Sequence, residues 1–469
     1  MTGEPVDYAL VRALQEQVGN ALADERQRRA GRRDGDLSGV NERQLSMSLT
    51  RSVVSQWVRE QLSHGVVLPA DELYPGRLIA AVDAAIWGAG SLQHLLDDPM
   101  VENIDLNGCD QVFVTYADER GTVAAHPVAA TDDELIDIVR TLGAYGLNAR
   151  PFTPSSPELD LRLPDGSRLS AVMSASARPL VSIRKHRLAQ VFLSTIPASA
   201  FEHAGPGEVP ASLLQLGTID ERLAAFLHAA VLSRANLIVA GATDAGKTTL
   251  LRALIHAIPA QERLITVERA LELGIDKHPH LHPNVAAMEE VLPGVDGSGG
   301  LSIGQLVLRT RRQNPSRVIV GEVLGPEVGE MLSAMSQGND GSLSTIHARS
   351  AADVFSRLAV YAAKYQGQPT EVTHALVGGA IDFVVFIEKN YAVNGQRTVT
   401  EVLEVTGSSD GTVTRSTIFR PSRVDGRAER DPEIPIMRAA ILARAGYDDR
   451  EWGPSPLWNA FGEPGYGRR

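Results

Sequence analysis

Apolar positions in the first ninety residues recur at helical spacing, and Leu10, Val11, Leu14, Val18 and Leu22 fall on one helix face. Two more helices are predicted over about 47–62 and 75–87. Near residue 100 the period drops to two. Ile104 and Leu106 alternate with polar neighbours, Asn107-Gly108 signals a turn, and Val112, Val114 and Tyr116 alternate again, which predicts a β-hairpin. Thr131 and Glu134 read as a capping box before the helical run Leu135, Ile138, Val139 and Leu142. Leu159, Leu161 and Leu163, followed by Asp165-Gly166, predict further strands.

A Pro/Ala/Gly-rich stretch at roughly 197–210 reads as a linker. Thr218 and Glu221 repeat the capping-box pattern ahead of a helix through Leu223, Phe226, Leu227 and Ala230. From the apolar run at 237–240 onward, strands and helices alternate to about residue 387, the pattern of a parallel sheet. Beyond it, 399–405 and 412–419 predict a hairpin, 421–432 a charged loop, 437–445 a short helix and the tail from Gly453 a frayed end. The expected organisation is a helical unit at 1–95, an α+β domain at 96–190, a linker at 191–215, an α/β domain at 216–395 and a C-terminal hairpin, helix and flexible tail at 396–469.

Composition narrows the classes. Hydrophobic residues make up 43% of 469, enough for real cores, and no run of about 18 apolar residues predicts a transmembrane helix. Glu4, Asp7 and Glu16 near the start do not resemble a secretory signal, so a cytoplasmic location is expected. The single cysteine, Cys109, excludes an internal disulfide and a multi-cysteine zinc site. A net charge of −12 argues against an extended nucleic-acid footprint. The cluster Arg26, Arg28, Arg29, Arg32 and Arg33 is compatible with a solvated linker or with binding an anionic lipid or nucleic acid. His278, His280 and His282 alternate as metal ligands on a strand would, but Pro279 and Pro283 interrupt pairing and no acidic or thiolate ligand joins them, so a surface loop is expected.

The strongest chemical signal is Gly241-Ala242-Thr243-Asp244-Ala245-Gly246-Lys247-Thr248, a full G-x-x-x-x-G-K-[ST] match followed by Thr249 and a helical run. The glycines let backbone N–H groups turn in around a phosphate, and the helix N-terminus adds partial positive charge. Lys247 is expected to reach the β- and γ-phosphates and Thr248 to ligate Mg²⁺. Neither a guanine-reading N-K-x-D nor an LSGGQ motif accompanies the loop.

Downstream, Arg317-Val-Ile-Val-Gly321-Glu322 is an apolar strand ending in a carboxylate, as a Walker B acid requires. Glu268 and Glu272 stand at and just past the end of an earlier strand, and 306–312 reads as a basic amphipathic helix. The order P-loop, T-V-E-x-x-x-E-L, V-I-V-G-E-V, G-x-D-G-S-L-S-T-I-H-A resembles the type II/type IV secretion ATPase superfamily, and within it the CpaF/tight-adherence branch of pilus assembly. The resemblance runs from about 90 to 390 and takes in the segments around Arg168 and Arg184. It implies a RecA-like α/β motor preceded by an α+β, PAS-like domain. By the same resemblance Glu268 and Glu272 are acidic-box residues, one polarising the attacking water. Glu322 holds Mg²⁺ or orients the nucleophile, His347 senses the γ-phosphate, and Arg168 and Arg184 reach the nucleotide. Taken alone, Arg168 and Arg184 are also compatible with surface positions, Glu272 with a helix-surface carboxylate and His347 with a core histidine.

The chain departs from the family pattern at Arg269, where an aspartate is usual, and at Leu324, where an arginine is common. The family's L-E-T-R segment is missing near 285–290, and Arg312 and Pro315 keep only part of R-M-R-P. A slow or partner-dependent ATPase is therefore expected. The resemblance implies a self-assembled ring, a hexamer, using ATP and Mg²⁺ and working at the cytoplasmic face on an inner-membrane platform. A conjugation-type DNA-transfer ATPase and a nucleotide-binding regulatory scaffold remain open alternatives.

Overall fold

The structure, a computed structural model, describes residues 7–30, 39–66, 68–69, 74–118, 120–145, 151–163, 166–185, 190–204, 208–291, 293, 299–336, 340–390 and 395–452. It divides into two compact units, Met1–Arg187 and Leu188–Arg469. The tail expected from Gly453, and Arg32 and Arg33 of the basic cluster, lie outside the described residues.

The first unit opens with three helices, α1 (Tyr8–Ala30), α2 (Gly39–Ser63) and α3 (Tyr74–Trp87). Val11, Leu14 and Val18 pack on Val54, Leu78 and Val82, so the helical spacing of the sequence becomes a shared seam. Helix α4 (Gln93–Asp97) then leads into β1 (Val101–Asn107), β2 (Val112–Tyr116), β3 (Thr122–Ala125), α5 (Asp132–Tyr145), β4 (Glu158–Arg162), β5 (Arg168–Val172) and β6 (Leu180–Arg184). They form a sheet in the order β3-β2-β1-β6-β5-β4. All its paired strands are antiparallel. Ile104, Leu106, Val112, Val114, Leu169 and Ile183 face a core completed by Leu135 and Val139 of α5. The expected box at Thr131 is only half formed. The Thr131 hydroxyl accepts from Glu134 N at 3.2 Å, whereas the Glu134 carboxylate accepts from Ala130 N at 2.8 Å, one residue earlier than a reciprocal box requires.

The second unit begins with β7 (Val191–Phe192), α6 (Ala198–Glu202) and β8 (Ala211–Ser212). The stretch expected as a linker is thus built into the fold, with Val191, Leu193 and Leu213 buried in the main core. Apolar residues on either side of the Pro/Gly-rich run supply the anchoring that composition alone concealed. Then follow α7 (Glu221–Leu232), β9 (Leu237–Gly241), α8 (Lys247–His256), β10 (Leu264–Glu268), β11 (Val285–Glu289), α9 (Ile303–Thr310), β12 (Arg317–Val323), α10 (Val328–Ser336), β13 (Leu343–His347), α11 (Asp353–Gln366), α12 (Thr370–Ala380), β14 (Phe383–Asn390), β15 (Gln396–Ser409), β16 (Thr412–Pro421), β17 (Ala428–Arg430) and α13 (Ala439–Arg444).

Nine strands make one sheet in the order β11-β10-β12-β13-β9-β14-β15-β16-β17. Pairings from β11 to β14 are parallel, and those from β14 to β17 antiparallel. The unit is α/β, with helices on both faces of the sheet. Strand β9 is buried along its whole length: Leu237 and Val239 join α7 and α8 on one side, Ile238 and Ala240 join α10 and α11 on the other. The hairpin expected as a separate C-terminal piece extends this sheet beyond 395, and the loop expected at 421–432 contributes β17. Two helix starts also differ from the sequence reading. Asp220, not Thr218, caps α7 by accepting from Leu223 N at 2.7 Å, because Thr218 is buried and its carbonyl accepts from Val399 N. Helix α9 carries a full capping box at Ser302 and Gln305, which was not read from the sequence.

The histidine segment is a further correction. His278 and His282 are 4% and 2% exposed rather than on a surface loop. Leu273 and Ile275 draw the chain into the core, and the His282 ring stacks on His256 of α8 with centroids 5.5 Å apart. Burial lowers the pKa of all three, and that of His282 to about 4. Unfolded histidines titrate near 6.5, so between that value and about 4 the unfolded chain binds more protons than the folded one. Stability should be fully present above about pH 6.5 and fall as pH drops toward 4, each unit of depression corresponding to about 1.4 kcal/mol. Thermal melts across pH 4–7.5 should show this slope, and His282→Phe should flatten it.

Candidate nucleotide site

The predicted phosphate loop lies where β9 ends and α8 begins. At Gly241 a Cβ would stand 2.2 Å from the Ile387 carbonyl oxygen, so β9 and β14 approach too closely there for any side chain. Ala242 and Thr243 are exposed and Ala245 is buried. Asp244 and Gly246 have φ of +61° and +97°, left-handed values that let backbone N–H groups turn inward as a nest. Lys247, Thr248 and Thr249 form the first turn of α8, the end where a helix is partially positive.

Parallel register then brings side chains of β12 and β13 up to the first turn of α8. His347 pairs opposite Gly241, and Glu322 comes from β12, the neighbour of β13. The buried Lys247 ammonium donates to the Ala242 carbonyl at 2.9 Å and contacts His347 Nδ1 at 3.0 Å. On the other side of the ring, Nε2 lies 2.8 Å from a Glu322 carboxylate oxygen. An ammonium has no acceptor to offer, so His347 Nδ1 accepts and Nε2 carries the hydrogen donated to Glu322. Three sequence-predicted residues therefore form one continuous chain.

Glu268 ends β10 and is 3% exposed. Its carboxylate accepts from the Thr266 hydroxyl at 3.0 Å and from the N–H groups of Glu272 and Leu273 at 2.7 and 2.8 Å. Burial raises its pKa more than these donors lower it, to about 7. Gly321 is required beside it, since a Cβ there would come 2.9 Å from Glu268 Cγ. Glu272 contributes its main chain: its N–H binds Glu268, and its carbonyl accepts from Arg252 of α8. Arg269, where the family has an aspartate, pairs with Glu290 at 3.3 Å.

Arg168 and Arg184 belong to the first unit and face each other in register on β5 and β6. Arg162 on β4 stands opposite Arg168, giving a row of three guanidiniums across adjacent strands. Sequence reasoning missed Arg162, although the alternation of Leu159, Leu161 and Leu163 already put it on the opposite face from them. It also missed Arg397 and Lys389, whose contact with Asp244 spans about 150 residues and leaves no local trace. Asn236, just before β9, was missed too. Its amide donates to the carbonyls of Met335 and Ala380 and accepts from the N–H groups of Gly341 and Ser342, all within 3.0 Å.

The profile of the "Type II/IV secretion system protein" family matches residues 87–378, well over half the chain. The chain belongs to this family. A putative conjugal transfer protein of Mycobacterium tuberculosis is 34% identical over 213 residues, 45% of this chain and 58% of that protein. The chain thus spans little more than half the length of that relative. VirB11 of Agrobacterium fabrum is 30% identical over 56% of this chain and 76% of its own length. A type IV secretion system PtlH homolog of Bordetella bronchiseptica is 31% identical over 61% of this chain and 86% of its own length.

Gly241→Ala should force β9 and β14 apart and cost at least about 3 kcal/mol, as overpacking at a backbone contact does. Urea unfolding of the variant beside the parent measures the loss.

Proposed function

We propose that this chain is a Mg²⁺-dependent ATP hydrolase that works as a hexameric ring at the cytoplasmic face of a membrane. There it drives the platform of a pilus-assembly or secretion machine of the tight-adherence type. The observation that carries the reading is the Lys247–His347–Glu322 chain at the mouth of the phosphate loop. The residues fit the nucleotide and its cation. Left-handed Asp244 and Gly246 turn backbone N–H groups inward as an anion nest, and the Thr248 hydroxyl and Glu322 carboxylate are hard oxygen donors of the kind Mg²⁺ takes. Mg²⁺, when bound, would neutralise charge on the β- and γ-phosphates.

In this reading the inward N–H groups and Lys247 bind the phosphates, and His347 relays their position to Glu322. Glu268 accepts the proton of the attacking water, its pKa of about 7 matching a base that works near neutrality. Steady-state hydrolysis by the purified chain should therefore fall at least about 100-fold in Lys247→Ala and in Glu322→Gln, typical of lost transition-state charge stabilisation. Intact turnover in both variants would end the reading.

The pH profile offers a separate check. Glu268 must be deprotonated to act, so kcat/KM should rise with pH through about 7 and level off above it. Glu268→Gln should lower the rate by about 100-fold or more and abolish that limb.

A second reading, DNA transfer, rests on the mycobacterial relative, whose name describes conjugal transfer. Turnover stimulated by DNA and suppressed by salt would favour it; turnover indifferent to DNA favours the pilus or secretion machine.

A further inference from the structure

Asp244 is an electrostatic anomaly: it places a carboxylate inside the loop where phosphates are to bind. Three further observations surround it. Arg397 Nη2 lies 3.0 Å from Asp244 Oδ1, and Arg397 Nε donates to the Asp244 carbonyl at 3.1 Å. Lys389 Nζ stands 3.8 Å from the other carboxylate oxygen. Lys389 and Arg397 are themselves cross-strand partners, directly opposite on β14 and β15.

Two like charges opposite each other on neighbouring strands repel, and a carboxylate between them relieves the repulsion. Counting Asp244 with its two cations, the local charge goes from −1 to +1. Arg397 also shapes the loop. Its two donors hold both the side chain and the carbonyl of a non-glycine residue in the left-handed region, a conformation that needs outside support. Its stem lies against Gly246, the left-handed N-cap of α8, where a Cβ would meet Arg397 Cδ at 3.1 Å.

We propose that Arg397 is a positioning residue for nucleotide binding. It neutralises Asp244 and holds the phosphate loop in its receptive shape, with Lys389 as the auxiliary cation. This rests on the reading that the loop receives the phosphates of a nucleoside triphosphate. Arg397 belongs to the antiparallel extension of the sheet, so that extension takes part in building the site.

The test is fluorescence titration of the full chain with N-methylanthraniloyl-ATP and Mg²⁺, with steady-state turnover alongside. Tighter binding by the parent than by Lys247→Ala establishes the loop as the nucleotide site; equal binding ends that reading, and this proposal with it. Given a working site, Arg397→Met, which keeps the stem against Gly246, should weaken binding about 10- to 100-fold, the scale of a lost charge-assisted contact. The loss should appear in KM rather than kcat. Arg397→Lys should retain most of the affinity, and Asp244→Asn placed in the Arg397→Met background should restore part of what the methionine loses, because the charge needing compensation is gone. The proposal is overturned if Arg397→Met binds within twofold of the parent, if the lysine variant is as weak as the methionine variant, or if the double variant stays weak. Failure of both the single and the double variant to fold, read by circular dichroism, would also overturn it, since Arg397 would then be a packing residue.

Discussion

An ammonium ion withdrawn from water must be surrounded by acceptors, and Lys247 imposes that requirement on the second unit. A carbonyl and a ring nitrogen answer it, and each demands a particular backbone path. The carbonyl belongs to a loop whose turn depends on left-handed residues. The ring belongs to β13, which must lie next to β9 for His347 to stand beside Gly241. His347 in turn needs an acceptor for its second nitrogen, which calls for β12 as the next strand. Strand order, loop conformation and side-chain chemistry are consequences of one buried charge.

Around this chain the sheet supplies rigidity by close approach rather than by bulk. Gly241 lets β9 meet β14, and Gly321 lets β12 meet Glu268. Farther from the loop, the fully buried Arg317 is held by Glu262 and by the carbonyls of Val231 and Gly341. Four hydrogen bonds to oxygen hold the guanidinium, so a charge at zero exposure is tolerated.

Much of this was legible in the sequence because its signals are local. Eight consecutive residues specify the phosphate loop, and a single strand with its terminal carboxylate specifies Glu322. Helical and alternating spacing located most elements of both units. What escaped depends on distant partners. The 191–215 stretch reads as a linker by composition, yet a few apolar residues bind it to the core. His278 and His282 are polar by type, but the apolar residues before them carry them inside. The hairpin after 395 gives no hint that its first strand continues a parallel sheet. The histidine ring of His347 is named by its motif, whereas its hydrogen-bonding state follows only from the lysine and glutamate on either side.

The amide of Asn236 joins, at the foot of β9, the end of α10, the end of α12 and the turn ahead of β13, while its own N–H donates to Asp382 beside β14. Every hydrogen-bonding position of that amide is committed, leaving no slack for one element to slide past another. These elements are thus pinned together at one point, the base of β9. Displacing any one of them strands a polar group of this buried amide without a partner, which costs about 1–3 kcal/mol.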